Sequence, residues 1–244
     1  MERNKEKEAL DRISKEHSYV EGFNGRLAKY RAMKIFELSK PGGKLLELGC
    51  GEGLLLREFA KREYEMITGV EASESYLREA EQAVKGHAHA ALSCSLLEEF
   101  ETDSKYDTII ASGILEHVEE PVSILKRAAN WLNGNGSIII IVPNALAFHR
   151  RLGIKMGLIP NAYHLSGQDH KVGHRRYYDM GSLEKDVVSA GLRIVNKGGI
   201  FLKPFSNVQM ESYPENVCDG LYLLGQDLPA WCAEIYVQAD REKW

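Results

Sequence analysis

A run of five consecutive β-branched residues at 138–142 constrains the fold of this 244-residue chain more than any other feature. A strand with one face in solvent alternates apolar and polar side chains, so an unbroken apolar run is typical of a strand buried on both faces of a parallel sheet. A sheet of this kind needs helices packed on both of its faces. The Asn-Gly-Asn-Gly sequence at 133–136 predicts a turn just before the strand.

Short apolar runs alternate with helical periodicity along most of the chain after residue 40. Strands are predicted at 44–48, 65–70, 88–93, 107–111, 137–142, 192–197 and 232–238, and helices at 53–62, 73–85, 120–132 and 180–190. This alternation predicts a parallel sheet in one α/β domain over residues 41–244. Amphipathic spacing in residues 1–40 predicts an N-terminal helical cap. The irregular stretches at about 145–178 and 200–226 predict a substrate-side loop and an insertion.

Composition and charge argue against several classes of protein. The chain has 31 Lys and Arg against 35 Asp and Glu, a net charge of −4. It therefore lacks the positive field that dominates binding to phosphate backbones, and we expect no nucleic-acid partner. We also expect no membrane span and no export signal. The four cysteines, Cys50, Cys94, Cys218 and Cys232, contain no C-x-x-C pair, which predicts free thiols in a reducing compartment and a cytoplasmic protein.

A glycine-rich turn links the first predicted strand to the helix that follows it. Gly49, Gly51 and Gly53 permit positive φ angles and let backbone N–H groups approach a ligand, and the helix N-terminus favours anionic groups. The next strand ends at Glu71, close to the spacing of about 20 residues at which a doubly wound fold places an acid that binds ribose hydroxyls. Together these features predict a nucleoside ligand at the carboxyl edge of the sheet.

The details of the turn distinguish between nucleosides. The glycines follow the order G-x-G-x-G, not the dinucleotide order G-x-G-x-x-G, and Glu47 stands two residues before the first of them. This arrangement resembles the first motif of class I S-adenosylmethionine methyltransferases. Glu71 and Ala72 resemble the second motif of that family, in which the acid binds both ribose hydroxyls.

The resemblance continues along the chain. Residues 93–98 fall where the third motif contacts adenine, although Ser95 stands where the family usually has Asp. Residues 106–118 are similar to the fourth motif of the ubiquinone-type small-molecule branch, which often contains the Leu-Glu-His-Val found here at 115–118.

The resemblance spans roughly residues 40 to 240 and implies a fold and a cofactor. The implied fold is a Rossmann-like seven-stranded, mostly parallel sheet with helices on both faces and an N-terminal helical cap. The implied cofactor is S-adenosyl-L-methionine, and no metal is expected. The cofactor-binding residues that it implies are Tyr19, Arg26, Glu47, Gly49, Gly51, Gly53, Glu71, Ala72, Ser95, Leu96, Ser112 and Gly113.

Three histidines are candidates for the acceptor side of the site. Methyl transfer from a sulfonium is an in-line displacement, in which the protein mainly holds the reactants in position. A hydroxyl acceptor must also lose a proton, and a positioned base speeds that step. We expect His117, at the rim after the fourth strand, and His170 and His174, in the long loop, to supply this function. Packing at the start of a helix for His117, and a backbone hydrogen bond in the loop for His174, are the structural alternatives.

The predicted function is methyl transfer to an oxygen or nitrogen of a small metabolite. Three alternatives remain open from the sequence. An NAD(P)-dependent oxidoreductase would need its third glycine where Leu54 stands. Methylation of RNA or protein would keep the same cofactor site. A non-catalytic relative would bind the cofactor or a partner chain without turnover. The sequence makes no prediction of the acceptor's identity or of the oligomeric state.

Overall fold

The structure is a computed structural model in which residues 10–12 and 22–241 are described. Among these residues, no helix is both long and apolar enough to cross a bilayer. Tyr19, one of the expected cofactor ligands, lies outside the described residues.

Seven strands form one sheet with the order β3-β2-β1-β4-β5-β7-β6. The pairs among β1 to β5 are parallel, and β7 runs antiparallel to both β5 and β6. The expected mostly parallel seven-stranded sheet is confirmed. The strands are β1 (Lys44–Leu48), β2 (Met66–Glu71), β3 (Ala90–Cys94), β4 (Tyr106–Ser112), β5 (Leu132–Pro143), β6 (Leu192–Ile200) and β7 (Glu234–Arg241).

Alternate residues of the central strands supply two separate apolar cores. Leu46 in β1 and Ile138 and Ile140 in β5 belong to one cluster, whereas Leu45 and Ile139 belong to the other. Because successive side chains of a strand point to opposite faces, the two clusters lie on the two sides of the sheet. This explains why the run at 138–142 contains no polar residue.

Helices cover both clusters. They are α1 (Gly22–Leu38), α2 (Leu54–Ala60), α3 (Glu74–Ala83), α4 (Pro121–Trp131), α5 (Phe148–Lys155), α6 (Gly167–Lys171), α7 (Met180–Ser189), α8 (Asn207–Met210) and α9 (Glu215–Asp227). Residues of α4 and α7 pack in the cluster that contains Leu46, and residues of α1, α2, α3 and α9 pack in the cluster that contains Leu45.

Two expectations about local structure are wrong. The predicted turn at 133–136 lies inside β5, where the register with β4 shifts between Tyr106 and Thr108. A Cβ on Gly136 would lie 2.6 Å from the Tyr106 carbonyl oxygen, so the glycines allow the irregular pairing of the strands and do not reverse the chain. The region at 145–178 is not one irregular loop, because it contains α5 and α6. The side chains of Ser166 and Asp169 form a capping box at the start of α6.

Candidate active site

The glycine-rich turn after β1 has the backbone that its sequence demands. Gly49, Gly51 and Gly53 have φ angles of 68°, 50° and 73°, a region that side-chain-bearing residues rarely adopt. The N–H groups of Gly49 and Cys50 both donate to the carbonyl of Val70, at 2.8 and 3.0 Å, which fixes the turn to the end of β2.

Glu71 joins the turn to the end of β2. Its Oε2 accepts a hydrogen bond from the Gly51 N–H at 2.9 Å, and its Oε1 accepts from the N–H groups of Ala72 and Ser73, each at 2.8 Å. Burial raises the pKa of this carboxyl above its usual range, and the three backbone hydrogen bonds offset part of that rise. The carboxyl therefore lies against the glycine turn, in a position fixed by the backbone.

Buried oxygen atoms without partners lie near the turn. Glu47 is only 6% exposed, and its Oε2 has no hydrogen-bond partner among the residues that the structure describes. Burial, followed by the neighbouring charge of Glu71, raises the pKa of Glu47 well above its usual range. The hydroxyl of Ser112, at the end of β4, is buried and likewise has no partner within the described ranges 10–12 and 22–241. Such groups are costly unless a ligand completes their hydrogen bonds.

These residues line one cleft of about 670 Å³ at the carboxyl ends of β1, β2 and β4. Residues from the turn, from the loops after β2, β3 and β4, and from α1 form its walls. The sequence-predicted residues that line it are Glu47, Gly49, Gly51, Glu71, Ala72, Ser95, Leu96, Ser112, Gly113 and His117. The carboxyl ends of parallel strands meet at one edge, which is why residues so far apart in sequence share the cleft.

The structure places four other predicted residues away from the cleft wall: Arg26, Gly53 and His170, and His174, which packs behind His117. Arg26 donates to the Tyr213 carbonyl at 2.6 Å and so fastens α1 to the segment before α9, while Arg31, one turn later, lines the cleft instead. Gly53 supports the turn from behind, because a Cβ there would lie 2.7 Å from Ala80 Cα. His170 is exposed on α6.

Two of the three predicted histidines lie together. The rings of His117 and His174 pack edge to face, with their centroids 4.8 Å apart. Burial, followed by the charge of His174, lowers the pKa of His117 to about 4, so its ring is neutral near pH 7. His174 stands behind His117, and its Nδ1 lies 3.1 Å from Oδ1 of Asp169.

Asp169 is the centre of a buried hydrogen-bond network. Besides His174, it accepts from the Ser166 N–H at 2.7 Å, from the Ser166 hydroxyl at 2.6 Å and from the Tyr177 hydroxyl at 2.9 Å. Burial raises the pKa of Asp169, but the hydrogen bonds from His174, Ser166 and Tyr177 outweigh it and hold the pKa below its usual range. The carboxylate therefore fixes the orientation of the His174 ring.

Sequence reasoning missed the part played by Glu116. This residue is only 2% exposed, and in the described part of the chain its Oε2 has no hydrogen-bond partner. Burial raises the pKa of Glu116 to about 7, against the opposing influence of His174 and Arg31. Glu116, His117 and His174 each offer one ligand atom within 4.8 Å of the others, a spacing that would also suit a metal ion. The Leu-Glu-His-Val sequence at 115–118 marked Glu116 as part of the fourth motif. Only the fold shows that its side chain is buried.

A glycine turn after β1 and a buried acid at the end of β2, facing one cleft, define a nucleoside-binding α/β protein. The profile of a family described as a methyltransferase domain matches residues 19–197, and the chain belongs to this family.

Relatives and solved structures agree with this family. A ubiquinone biosynthesis O-methyltransferase from Bradyrhizobium sp. is 31% identical over 104 residues, which cover 42% of this chain and 41% of that protein. The match thus spans less than half of the relative's length. A protein of the same name from Idiomarina loihiensis is 27% identical over 171 residues, 67% of each chain.

A crystal structure of an S-adenosylmethionine-dependent methyltransferase from Mesorhizobium loti superposes with a TM-score of 0.63 at 17% identity, covering 90% of this chain and 100% of that one. The last likeness confirms the Rossmann-like fold.

Proposed function

We propose that this protein transfers a methyl group from S-adenosyl-L-methionine to an oxygen or nitrogen of a small metabolite. One observation carries the proposal: the Gly51 N–H and the Glu71 carboxyl meet on the wall of the cleft that His117 also lines. A nucleoside subsite and a candidate proton acceptor thus face one space, as transfer between a cofactor and an acceptor requires.

The part of the cleft around the glycine turn and the ends of β2 and β3 fits S-adenosylmethionine. Glu71 would hold the ribose hydroxyls, and Ser95 and Leu96, after β3, would contact the adenine. Glu47 Oε2 and Ser112 Oγ are buried and have no hydrogen-bond partner among the described residues, which suits a ligand that brings its own polar groups to them. An added Cβ on Gly51 would meet no atom within 4 Å, so the turn leaves room for a ligand beside its backbone. Bound there, S-adenosylmethionine supplies an electrophilic methyl group on a sulfonium.

On the acceptor side, His117 orients the acceptor and takes up its proton, and His174 acts through His117 as a positioning residue. His117 faces the cleft as a neutral imidazole, and His174 stands behind it, held by Asp169. For a hydroxyl acceptor, such a base contributes about 10²–10⁴-fold to the rate. His170 is exposed, so we assign it no contact with the acceptor. Asp169 acts through His174 and is a positioning residue.

A small-molecule acceptor is favoured over RNA or protein. The Bradyrhizobium and Idiomarina relatives are named for methyl transfer in ubiquinone biosynthesis, and this chain carries a net charge of −4. The comparisons give no support to a nicotinamide oxidoreductase, and Leu54, where that class needs glycine, opens α2. The four cysteines are free thiols, which supports the cytoplasm as the compartment.

The proposal is tested by incubating the protein with methyl-labelled S-adenosylmethionine and a panel of small phenols, hydroxy acids and amines. Mass spectrometry should find one of them carrying a single labelled methyl group, together with S-adenosylhomocysteine. A protein that binds the cofactor tightly but labels none of the panel, while labelling RNA or protein added in parallel, would contradict the small-molecule assignment.

A further inference from the structure

Arg175 is a cation of the cleft wall whose side chain is not engaged elsewhere. It lines the cleft and is exposed, and its guanidinium makes no hydrogen bond or ion pair with any residue in the described ranges 10–12 and 22–241. Its backbone is held, because the Arg175 N–H donates to the Glu116 carbonyl at 2.8 Å. The position of the residue is therefore fixed, while its guanidinium stays available to a ligand in the cleft.

The other lysine and arginine residues that line the cleft each have a carboxylate partner. The three ion pairs are Lys29 with Glu215, Arg31 with Glu234, and Arg57 with Glu58. An ion pair is neutral as a unit, so these residues add little net charge to the cleft. Among the described residues of the cleft wall, Arg175 is thus the arginine or lysine whose charge is not balanced.

The acidic residues lie on the other side of the cleft. All those that line it, among the described residues, belong to β1 and β2 or to the segments after β1 and β3: Glu47, Glu52, Glu58, Glu71 and Glu98. The described lining residues after β4 and α6 include His117 and Arg175 but no carboxylate. S-adenosylmethionine carries a sulfonium and an ammonium against one carboxylate, which suits the acidic side. The side with His117 suits a ligand of the opposite charge.

Arg175 lies close to the candidate base. The ring of His174, the residue before it, packs on His117 with the centroids 4.8 Å apart. Val172 and Gly173, just before His174, also line the cleft. Consecutive Cα atoms are only about 3.8 Å apart, so the link through His174 keeps Arg175 near His117. An acceptor that reaches His117 therefore passes or contacts the wall that carries Arg175.

We propose that Arg175 sets the specificity of the enzyme by binding a carboxylate of the methyl acceptor, which is methylated at another of its atoms. The assignment to the acceptor rests on the proposed function. A guanidinium presents its N–H donors in a planar fork that matches the two oxygens of a carboxylate. One guanidinium balances one negative charge. A phosphate dianion would need a second cation, and the other arginines and lysines of the described cleft wall are paired.

The test uses carboxylic acids as probes and their primary amides as neutral counterparts. A panel of aromatic acids, including benzoate with benzamide and 4-hydroxybenzoate with 4-hydroxybenzamide, is titrated into the full chain. Binding is followed by saturation-transfer NMR, with and without S-adenosylhomocysteine. The wild type should bind acids in preference to their amides. Arg175→Gln should lose about tenfold in affinity for the acids, as expected for a hydrogen bond between charged groups, and keep its affinity for the amides.

Two further variants separate the guanidinium from general charge. Lys171→Gln is the matched control, because Lys171 is an exposed cation on α6 that does not line the cleft. It removes the same charge and should keep the wild-type preference for acids. Arg175→Lys keeps the charge without the fork and should bind the acids more weakly than the wild type but more tightly than Arg175→Gln. Both glutamine variants should keep the wild-type Tm, since neither side chain has a partner among the described residues.

Several results would overturn the proposal. They are equal binding of acids and amides by the wild type, an unchanged preference in Arg175→Gln, and an equal loss in Lys171→Gln. Arg175-dependent binding of phenyl phosphate that is tighter than that of benzoate would overturn the assignment of a carboxylate. Failure to bind S-adenosylhomocysteine in the same samples would contradict the proposed function instead, because the acids and amides are also measured without it.

Discussion

The three glycines of the turn have different structural roles. A Cβ on Gly49 would lie 2.0 Å from Ile114 Cδ1, and one on Gly53 would lie 2.7 Å from Ala80 Cα, so these two glycines allow close packing. Gly51 has nothing within 4 Å of such a Cβ, although it lines the cleft and its N–H binds Glu71. Its missing side chain therefore leaves space that we assign to the ligand.

Gly51→Ala should lose cofactor affinity for this reason. The matched control is Gly191→Ala, since Gly191 also has a positive φ, 78°, and nothing within 4 Å, but does not line the cleft. Both variants should lose about 1–2 kcal/mol of stability from the left-handed backbone. Only Gly51→Ala should weaken binding of S-adenosylhomocysteine in calorimetry. Equal affinities in the two variants would show that Gly51 leaves no space that the ligand uses.

His174→Ala should lower kcat without changing the affinity for the cofactor. With the acceptor identified from the phenol, hydroxy acid and amine panel, we expect kcat to fall if the acceptor is a hydroxyl, because the His117 ring loses its support. The loss should not exceed the about 10²–10⁴-fold that a general base contributes. The affinity for S-adenosylhomocysteine should not change, since His174 packs against His117 and does not line the cleft. His170→Ala, on an exposed neighbour, is the control and should keep the wild-type kcat. A similar loss in both variants would remove His174 from the proton pathway.

At the scale of elements, the cap helix α1 and the insertion around α9 form one wall. The Tyr30 hydroxyl donates to Asp219 at 2.7 Å, and its ring stacks on Tyr222 with the centroids 5.0 Å apart. Lys29 pairs with Glu215 at the surface of the same contact. Arg31, on the same helix, lines the cleft.

Substitutions of Tyr30 test how much the contact between α1 and α9 contributes to stability. Tyr30→Ala should cost about 3–5 kcal/mol of unfolding free energy, the range for a buried aromatic residue. Tyr30→Phe keeps the ring and should cost about 1–3 kcal/mol, for the hydrogen bond to Asp219 alone. Denaturant unfolding of both variants measures the two contributions. If Tyr30→Ala were as stable as the wild type, α1 would not depend on the ring for its contact with α9.

The elements that the sequence predicts well are those whose pattern is local. The strands of the sheet and the helices at 121–131 and 180–189 follow from apolar runs and helical spacing. The short helices α5 and α6 do not, because eight and five residues are too few to show a helical period. The capping box of Ser166 and Asp169 is the one local signal that could have found α6. The glycines at 133–136 carry a turn signal that the pairing with β4 overrides.

At the scale of the whole molecule, the parallel sheet makes part of the site predictable. The residues that end β1, β2 and β4 must meet at one edge, so Gly51, Glu71 and His117 could be placed together from the sequence. The helical cap and the loops obey no such rule. Sequence reasoning therefore chose Arg26 where the structure places Arg31 at the cleft, and it overlooked Glu116, whose burial depends on elements distant in the chain.

The central claim is most directly tested by isothermal titration of the purified protein with S-adenosylmethionine, S-adenosylhomocysteine and NAD in parallel. We expect binding of the first two and none of NAD. It also expects Glu71→Ala to weaken the first two by about 1–3 kcal/mol, while Glu81→Ala, an exposed acid on α3, leaves them unchanged. Binding of NAD alone, or full affinity in Glu71→Ala, would contradict the account of the cleft.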